Sequence, residues 1–218
     1  MTRQLKWEGT PVPYITPWSY EKVRWDPLVR GCGLGGEGLR YADEDPAVDR
    51  HMGVLRLRVS LARGKGEPIF ERVHALRQVQ AMIRMLCQVC GEPTYNPADE
   101  RHLFLVRSGP GNPLREGETT ASPPVHASCA KEAVQHCPPL RRGYTAALVK
   151  YASPWGVAGI AYDPMTLKPL PMKKKDLKLV KVPYTDDQRL RWVLAAREVV
   201  ELRGVTPVDL DELLTTAA

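Results

Sequence analysis

Cys87-Gln88-Val89-Cys90-Gly91 and His126-Ala127-Ser128-Cys129 are two short stretches that decide how this chain folds. Each holds two metal-ligating side chains with two residues between them, and 35 residues separate the first ligand pair from the second. The first predicts a tight turn, in which the glycine gives the backbone room to reverse. The second stands at the start of a predicted helix, where backbone N–H groups and the helix dipole favour a thiolate. Three cysteines and one histidine therefore predict a closed, tetrahedral zinc site formed by Cys87, Cys90, His126 and Cys129.

The fourth zinc ligand has a rival candidate. Residues 103–106 are typical of a short apolar strand, which is expected to pair with residues near Thr94 and Tyr95 across a turn at 96–99. His102 stands at the end of this predicted hairpin and could approach the ion. The sequence therefore leaves His126 and His102 open as alternatives.

The composition indicates a soluble globular protein. Of 218 residues, 43% are hydrophobic and 26% are charged, a balance that excludes a disordered chain. No apolar run approaches the roughly 20 residues that span a bilayer, and the first residues lead into no apolar signal segment. Four of the five cysteines fall within residues 87–137, which favours metal binding in a reducing cytoplasm over a disulfide framework. The net charge of +6 permits nucleic-acid binding without requiring it.

The chain divides into three parts. Residues 1–53 are expected to form an extended arm, rich in proline and aromatic residues, that anchors onto a core or binds a partner. Its glycine-rich segment 31–38 is predicted as a flexible loop, because no helix follows it as a dinucleotide site requires. Residues 54–142 are expected to form the zinc-centred domain, with a strand at 54–62 and a helix at 70–86. Residues 143–218 are the third part, a basic β segment with a helical tail.

This C-terminal part is predicted to contain strands at 144–152, 157–162 and 177–182. A helix capped by Thr185 and running to Leu202 is expected next, followed by a short last helix. Basic side chains accumulate between residues 141 and 181. They could form a surface that binds phosphates or a partner, or they could simply be solvated, and the sequence leaves both alternatives open. The candidate binding residues are Arg141, Arg142, Lys173, Lys174, Lys175, Lys178 and Lys181.

The order of turn, hairpin, loop and helix over residues 86–140 resembles the treble-clef zinc fold. Cys87, Cys90, His126 and Cys129 match its ligand positions, although many members have a cysteine where this chain has His126. The resemblance implies an α+β protein: a treble-clef-like module packed with a helix and short strands, followed by a small antiparallel β segment and a C-terminal helix. Some treble clefs are His-Asn-His nucleases, for which His102 is the candidate general base here.

Four further motifs resemble small, uncharacterised proteins of Streptomyces-like actinobacteria and their phages. They are PVPY at 11–14, GEGLRYAD at 36–43, LCQVCG at 86–91 and HCPPLRR at 136–142. Some actinophage proteins of this size are recombination directionality factors, which bind a serine integrase and switch it to excision. The resemblance implies a serine integrase on DNA as the partner.

The sequence as a whole predicts a non-enzymatic, zinc-stabilised regulatory factor that binds a DNA-acting enzyme. A protein that binds double-stranded DNA directly is the alternative, and a divergent His-Asn-His nuclease is a third, weaker hypothesis. The predicted location is the cytoplasm, with no membrane contact.

Overall fold

The computed structural model describes residues 4–33, 36–95, 100–109, 112–171 and 179–215, which form a mixed α and β protein with antiparallel sheets. The strands are β1 (Leu5–Trp7), β2 (Thr10–Val12), β3 (Leu28–Gly33), β4 (Gly36–Tyr41), β5 (Arg50–His51), β6 (Val54–Leu55), β7 (His102–Arg107), β8 (Thr119–Thr120), β9 (Tyr144–Ala161), β10 (Val180–Pro183) and β11 (Val193–Val208). The helices are α1 (Pro46–Asp49), α2 (Ala75–Ile83), α3 (Ala127–His136), α4 (Pro138–Arg141), α5 (Asp187–Leu190) and α6 (Leu210–Thr215). No helix in these ranges is long and apolar enough to cross a membrane.

A five-stranded antiparallel sheet built on β9 and β11 organises the fold. These two strands pair from Val193 opposite Ala161 to Val208 opposite Ala146. On the other side of β9, strand β7 pairs with its first half and β10 with its second half. The predicted strands at 144–152 and 157–162 are thus parts of one continuous strand.

The predicted helix from Thr185 to Leu202 is wrong. Only Asp187–Leu190 is helical, and the chain then enters β11. The first ten residues of β11, 193–202, contain no exposed side chain, because the strand is covered on both faces. Such a strand carries apolar residues on both faces, so its apolar residues also match a helical spacing by chance. The valines along β11 favour the strand, because β-branched side chains pack well on a pleated surface.

The prediction of a flexible loop at 31–38 is wrong for residues 31–33 and 36–38, which are strand residues, while residues 34 and 35 lie outside the described residues. Strands β3 and β4 pair antiparallel from Leu28 opposite Tyr41 to Gly33 opposite Gly36. Gly38 is needed for close packing, since a Cβ there would lie 2.9 Å from the Arg191 carbonyl oxygen. The hairpin therefore uses its small residues to approach the end of α5.

The predicted strand at 54–62 and helix at 70–86 are both shorter than expected. Only Val54–Leu55 is a regular strand, and isolated bridges join Arg56 to Ala195 and Val59 to Val23. The helix α2 starts at Ala75, because the preceding His74 caps it by accepting a hydrogen bond from the Arg77 N–H at 3.3 Å.

The N-terminal arm is fastened to the rest of the protein by polar and aromatic contacts. Trp18 is buried and packs edge-on against Trp7, with 6.2 Å between ring centroids. Glu21 is buried and binds both terminal nitrogens of Arg77 on α2, each at 2.6 Å. Trp25, in contrast, is 67% exposed. The N-terminal arm is therefore anchored by a buried ion pair as well as by the expected aromatic rings.

Candidate metal centre

Four side chains converge on one point at the edge of a buried cluster. One ligand atom from each of Cys87, Cys90, His126 and Cys129 lies within 4.8 Å of the other three. His126 Nδ1 is 3.3 Å from the Cys90 sulfur. A tetrahedral ion with bonds near 2.3 Å to sulfur separates its ligands by about 3.8 Å, so this spacing fits a bound metal ion.

The first ligand pair sits in a tight turn closed by its own backbone. The Cys87 N–H donates to the Glu92 carbonyl at 2.7 Å, and the Gly91 N–H donates to the Cys87 carbonyl at 2.8 Å. Gly91 has φ +81°, and a Cβ there would lie 2.8 Å from the Tyr14 ring. Glycine is therefore required both for the turn and for the packing of the N-terminal arm.

Two neighbouring segments hold this turn in place. The Tyr14 N–H of the arm donates to the Val89 carbonyl at 2.8 Å. On the other side, the Gln88 N–H donates to the Pro124 carbonyl at 2.9 Å, just before the second ligand pair. These bonds bring the two ligand pairs together although they are distant in sequence.

The second pair lies at the start of α3. His126 is the N-cap residue, but its side chain makes no capping bond and faces the thiols instead. Its other ring nitrogen, Nε2, is 2.9 Å from the Pro93 carbonyl oxygen. Metal-binding histidines commonly donate their second N–H to a carbonyl in this way, which fixes the ring orientation. Nδ1 is thereby left as the ligand atom.

The three clustered cysteine thiols differ in pKa. A hydrogen bond from Cys129, aided by backbone N–H groups of Cys90, His126 and Val89, lowers the pKa of Cys87 to about 5 against the effect of burial. The same bond to Cys87, together with burial, raises the pKa of Cys129. Burial raises the pKa of Cys90 as well. The arrangement thus already stabilises one thiolate, and a bound metal ion would favour loss of the remaining thiol protons.

His102, the alternative ligand, lies outside this cluster of described residues. Its Nδ1 is 2.8 Å from the Thr94 hydroxyl, which itself donates to the Met85 carbonyl at 2.8 Å. Burial lowers the pKa of His102, which favours the neutral ring. The histidine that the structure brings to the cysteines is therefore His126.

The expected pairing of residues 103–106 with Thr94 and Tyr95 is wrong. Strand β7 pairs over its whole length with β9, from His102 opposite Val149 to Arg107 opposite Tyr144. The Thr94 side chain contacts this strand at His102. Strand β7, which lies between the ligand pairs in the sequence, thus belongs to the five-stranded sheet.

The basic residues singled out in the sequence are dispersed where the structure describes them. Arg141 and Arg142 are exposed beside the start of β9. Lys181 on β10 lies opposite Ala158, which is 14 residues after Tyr144, a separation of up to about 46 Å along a strand. The Lys181 ammonium donates to the Thr119 carbonyl at 3.0 Å. Lys173, Lys174, Lys175 and Lys178 lie outside the described residues.

An apolar groove of about 560 Å³ lies beside the metal centre. Pro13 of the arm, Phe70, and Ala133 and Cys137 at the end of α3 line it. Val89, between the first two metal ligands, lines it as well. Its walls come from segments distant in sequence, which is why no sequence pattern indicated it.

Comparisons of the chain with protein-family models, with curated proteins and with solved structures find no match.

Proposed function

We propose that the metal ion is Zn²⁺ and that it has a structural role. Three sulfur atoms and one imidazole nitrogen are the donors that zinc prefers. The four side chains would fill all four positions of a tetrahedral ion, whereas a catalytic zinc usually has three protein ligands and an open position for water. The turn at residues 87–91 and the first turn of α3 correspond to the ligand-bearing parts of a treble clef. In this proposal β7 contributes to a larger sheet instead of the usual hairpin.

The protein then acts as a zinc-stabilised, non-enzymatic factor that binds a DNA-acting enzyme, with a phage serine integrase as the proposed partner. The observation that carries this proposal is the apolar groove beside the metal centre. Val89 and α3 form part of its wall, so the metal ion would hold the groove in shape. Phe70 in this groove is 48% exposed, and exposed aromatic side chains of this kind are typical anchors of protein interfaces. A cytoplasmic location belongs to the proposal, because the thiolate ligands have to stay reduced.

A pull-down with a purified serine integrase, with and without DNA, tests the partner. Wild-type protein is expected to retain the integrase in both conditions, and Phe70→Ala to retain less. Ile83→Ala is the matched control, because Ile83 is also an apolar side chain that is 48% exposed but does not line the groove. Removal of the metal by a chelator should abolish retention, because the groove wall contains the metal-binding turn. Retention that survives both Phe70→Ala and chelation would contradict the proposal.

Direct binding to double-stranded DNA is the second proposal, favoured by the exposed Arg141 and Arg142 and by the net charge of +6. Phosphate contacts make affinity fall steeply with salt, because each neutralised phosphate releases counterions. Gel shifts across a salt series should therefore separate the two proposals. Tight binding to naked duplex that is lost on replacing Lys173, Lys174 and Lys175 together would favour the DNA binder. If the factor is non-enzymatic, plasmid DNA should stay intact with Mg²⁺, Mn²⁺ or Ni²⁺.

A further inference from the structure

A cavity of about 380 Å³ lies between the N-terminal arm, the start of α2 and the middle of β11. It shares no lining residue with the metal centre or with the apolar groove. Its described lining combines three cationic side chains, those of Lys22, Arg72 and Arg197, with the exposed indole of Trp25. This size lies within the range of small-ligand sites, which is roughly 300–1,000 Å³.

A bulge in β11 brings Arg197 into this cavity. Ala195 lies opposite Gly159 of β9 and Arg197 lies opposite Ala158, so Ala196 is an extra residue in the strand. Consecutive residues of a regular strand point to opposite faces, yet Ala196 and Arg197 both line the cavity. Bulges are frequent beside functional sites, because they redirect a side chain.

A buried side chain on α2 stabilises this irregular strand. The Gln78 amide accepts a hydrogen bond from the Glu198 N–H at 2.9 Å and donates to the Glu198 carbonyl at 3.0 Å. Gln78 thus satisfies the backbone polar groups next to the bulge. These hydrogen bonds stabilise the bulge and, with it, the position of Arg197.

The Arg197 side chain has no hydrogen-bond or ion-pair partner among the described residues, and burial lowers its pKa. The single carboxylate in the described lining is that of Glu21, which is already engaged by Arg77 at 2.6 Å and by the Trp18 N–H at 2.9 Å. His74, also in the lining, is kept neutral by burial, which lowers its pKa. The cavity therefore carries an excess of positive charge with no internal counter-ion in the described part of the chain.

We propose that this cavity binds a small phosphomonoester, with its phosphate paired to Arg197 and its apolar part against Trp25. A guanidinium presents a planar fork that matches phosphate oxygens, and a phosphomonoester carries close to two negative charges near pH 7. Arg72 and Lys22 add positive charge at the same cavity, which favours a dianion over a single carboxylate. Leu57 and Val59 supply an apolar wall for the rest of the ligand. The site and its test are independent of the proposed integrase binding.

Isothermal titration calorimetry of the metal-loaded full chain, near pH 7, tests this proposal. Phenyl phosphate is expected to bind more tightly than inorganic phosphate, and phenol to give no saturable heat. Arg197→Met should weaken phenyl phosphate binding by about 10- to 100-fold, because a charge-assisted bond is lost. Trp25→Ala should weaken phenyl phosphate by about 2- to 10-fold and leave inorganic phosphate unchanged.

Arg203→Met is the matched control. Arg203 is on the same strand, is 59% exposed and pairs with Glu201, so its loss should leave phenyl phosphate binding unchanged. Arg197→Lys keeps the positive charge without the planar guanidinium and should bind phenyl phosphate with intermediate affinity. Its unfolding curve should match that of the wild type, which would show that the weaker binding is not caused by loss of the fold. Wild-type affinity in Arg197→Met, or no saturable binding of phenyl phosphate to the wild type, would overturn the proposal. Benzoate binding as tightly as phenyl phosphate would overturn the preference for phosphate.

Discussion

Replacement of Arg77 by methionine is expected to destabilise the protein strongly, because Arg77 holds the N-terminal arm through a buried ion pair. Arg77 donates to the two carboxylate oxygens of Glu21 at 2.6 Å each and to the Thr16 carbonyl at 2.8 Å. The two side chains are 5% and 0% exposed. Methionine preserves much of the aliphatic packing but leaves Glu21 with backbone N–H groups of Trp18 and Ala62 as donors. A buried carboxylate without its cation destabilises a protein by about 3–5 kcal/mol.

Urea unfolding followed by circular dichroism measures this loss. Arg24→Met is the matched control, because Arg24 is 55% exposed and pairs with Asp26 at 2.9 Å. An exposed pair of this kind contributes about 0–1 kcal/mol. The double variant Glu21→Gln with Arg77→Met should recover part of the stability, since no buried charge remains. A loss below about 1 kcal/mol in Arg77→Met would refute the reasoning, because it would mean that the buried pair is no stronger than an exposed one.

Three further predictions concern the pH dependence, the metal-binding turn and the fourth ligand. Burial raises the pKa of Glu21, but hydrogen bonds from Arg77 and from two backbone N–H groups outweigh it and place the pKa below its ordinary value. The wild type should therefore exceed Glu21→Gln in free energy of unfolding by its largest margin above about pH 4.3. This margin should shrink as the pH falls through the folded-state pKa of Glu21, which measurements of stability against pH would show. Gly91→Ala should cost about 1–3 kcal/mol and weaken metal binding, whereas Gly117→Ala, at a similar φ of +76° with no atom within 4 Å, should show the backbone strain alone. His126→Ala should lose the metal and His102→Ala should keep it, as elemental analysis would show.

The four clustered residues were predictable from sequence, because their two pairs are local. The spacing of Cys87 and Cys90 fits a single turn, and His126 and Cys129 fall on the first turn of a helix that the structure contains. The spacing of residues in the sequence could not decide whether His126 or His102 is the fourth ligand. It depends on the Thr94 hydroxyl and the Pro93 carbonyl, which engage one ring each.

The large sheet was only partly predictable, because its pairings are distant in sequence. Strand β7 was recognised from its apolar run, but its partner β9 begins 37 residues after Arg107, at Tyr144. The helix expected up to Leu202 failed for a related reason. A strand buried on both faces shows no alternation, and burial on both faces is a property of the folded protein that periodicity does not reveal.

The cavity at Arg197 gave no sequence signal at all. Its position depends on the bulge at Ala196 and on the contact between Gln78 and Glu198, which are 120 residues apart. Arg197 is followed by Glu198 in the sequence, and adjacent charged residues of this kind are commonly solvated, so the pattern alone does not indicate a site.

Elemental analysis of the protein purified without added metal tests the central claim most directly. The account predicts about one zinc ion per chain in the wild type. Cys87→Ser and Cys129→Ser should each lose the ion and loosen the turn and the start of α3, because the metal joins these two segments. Zinc-free wild-type protein of unchanged stability, or full zinc retention in both variants, would contradict it.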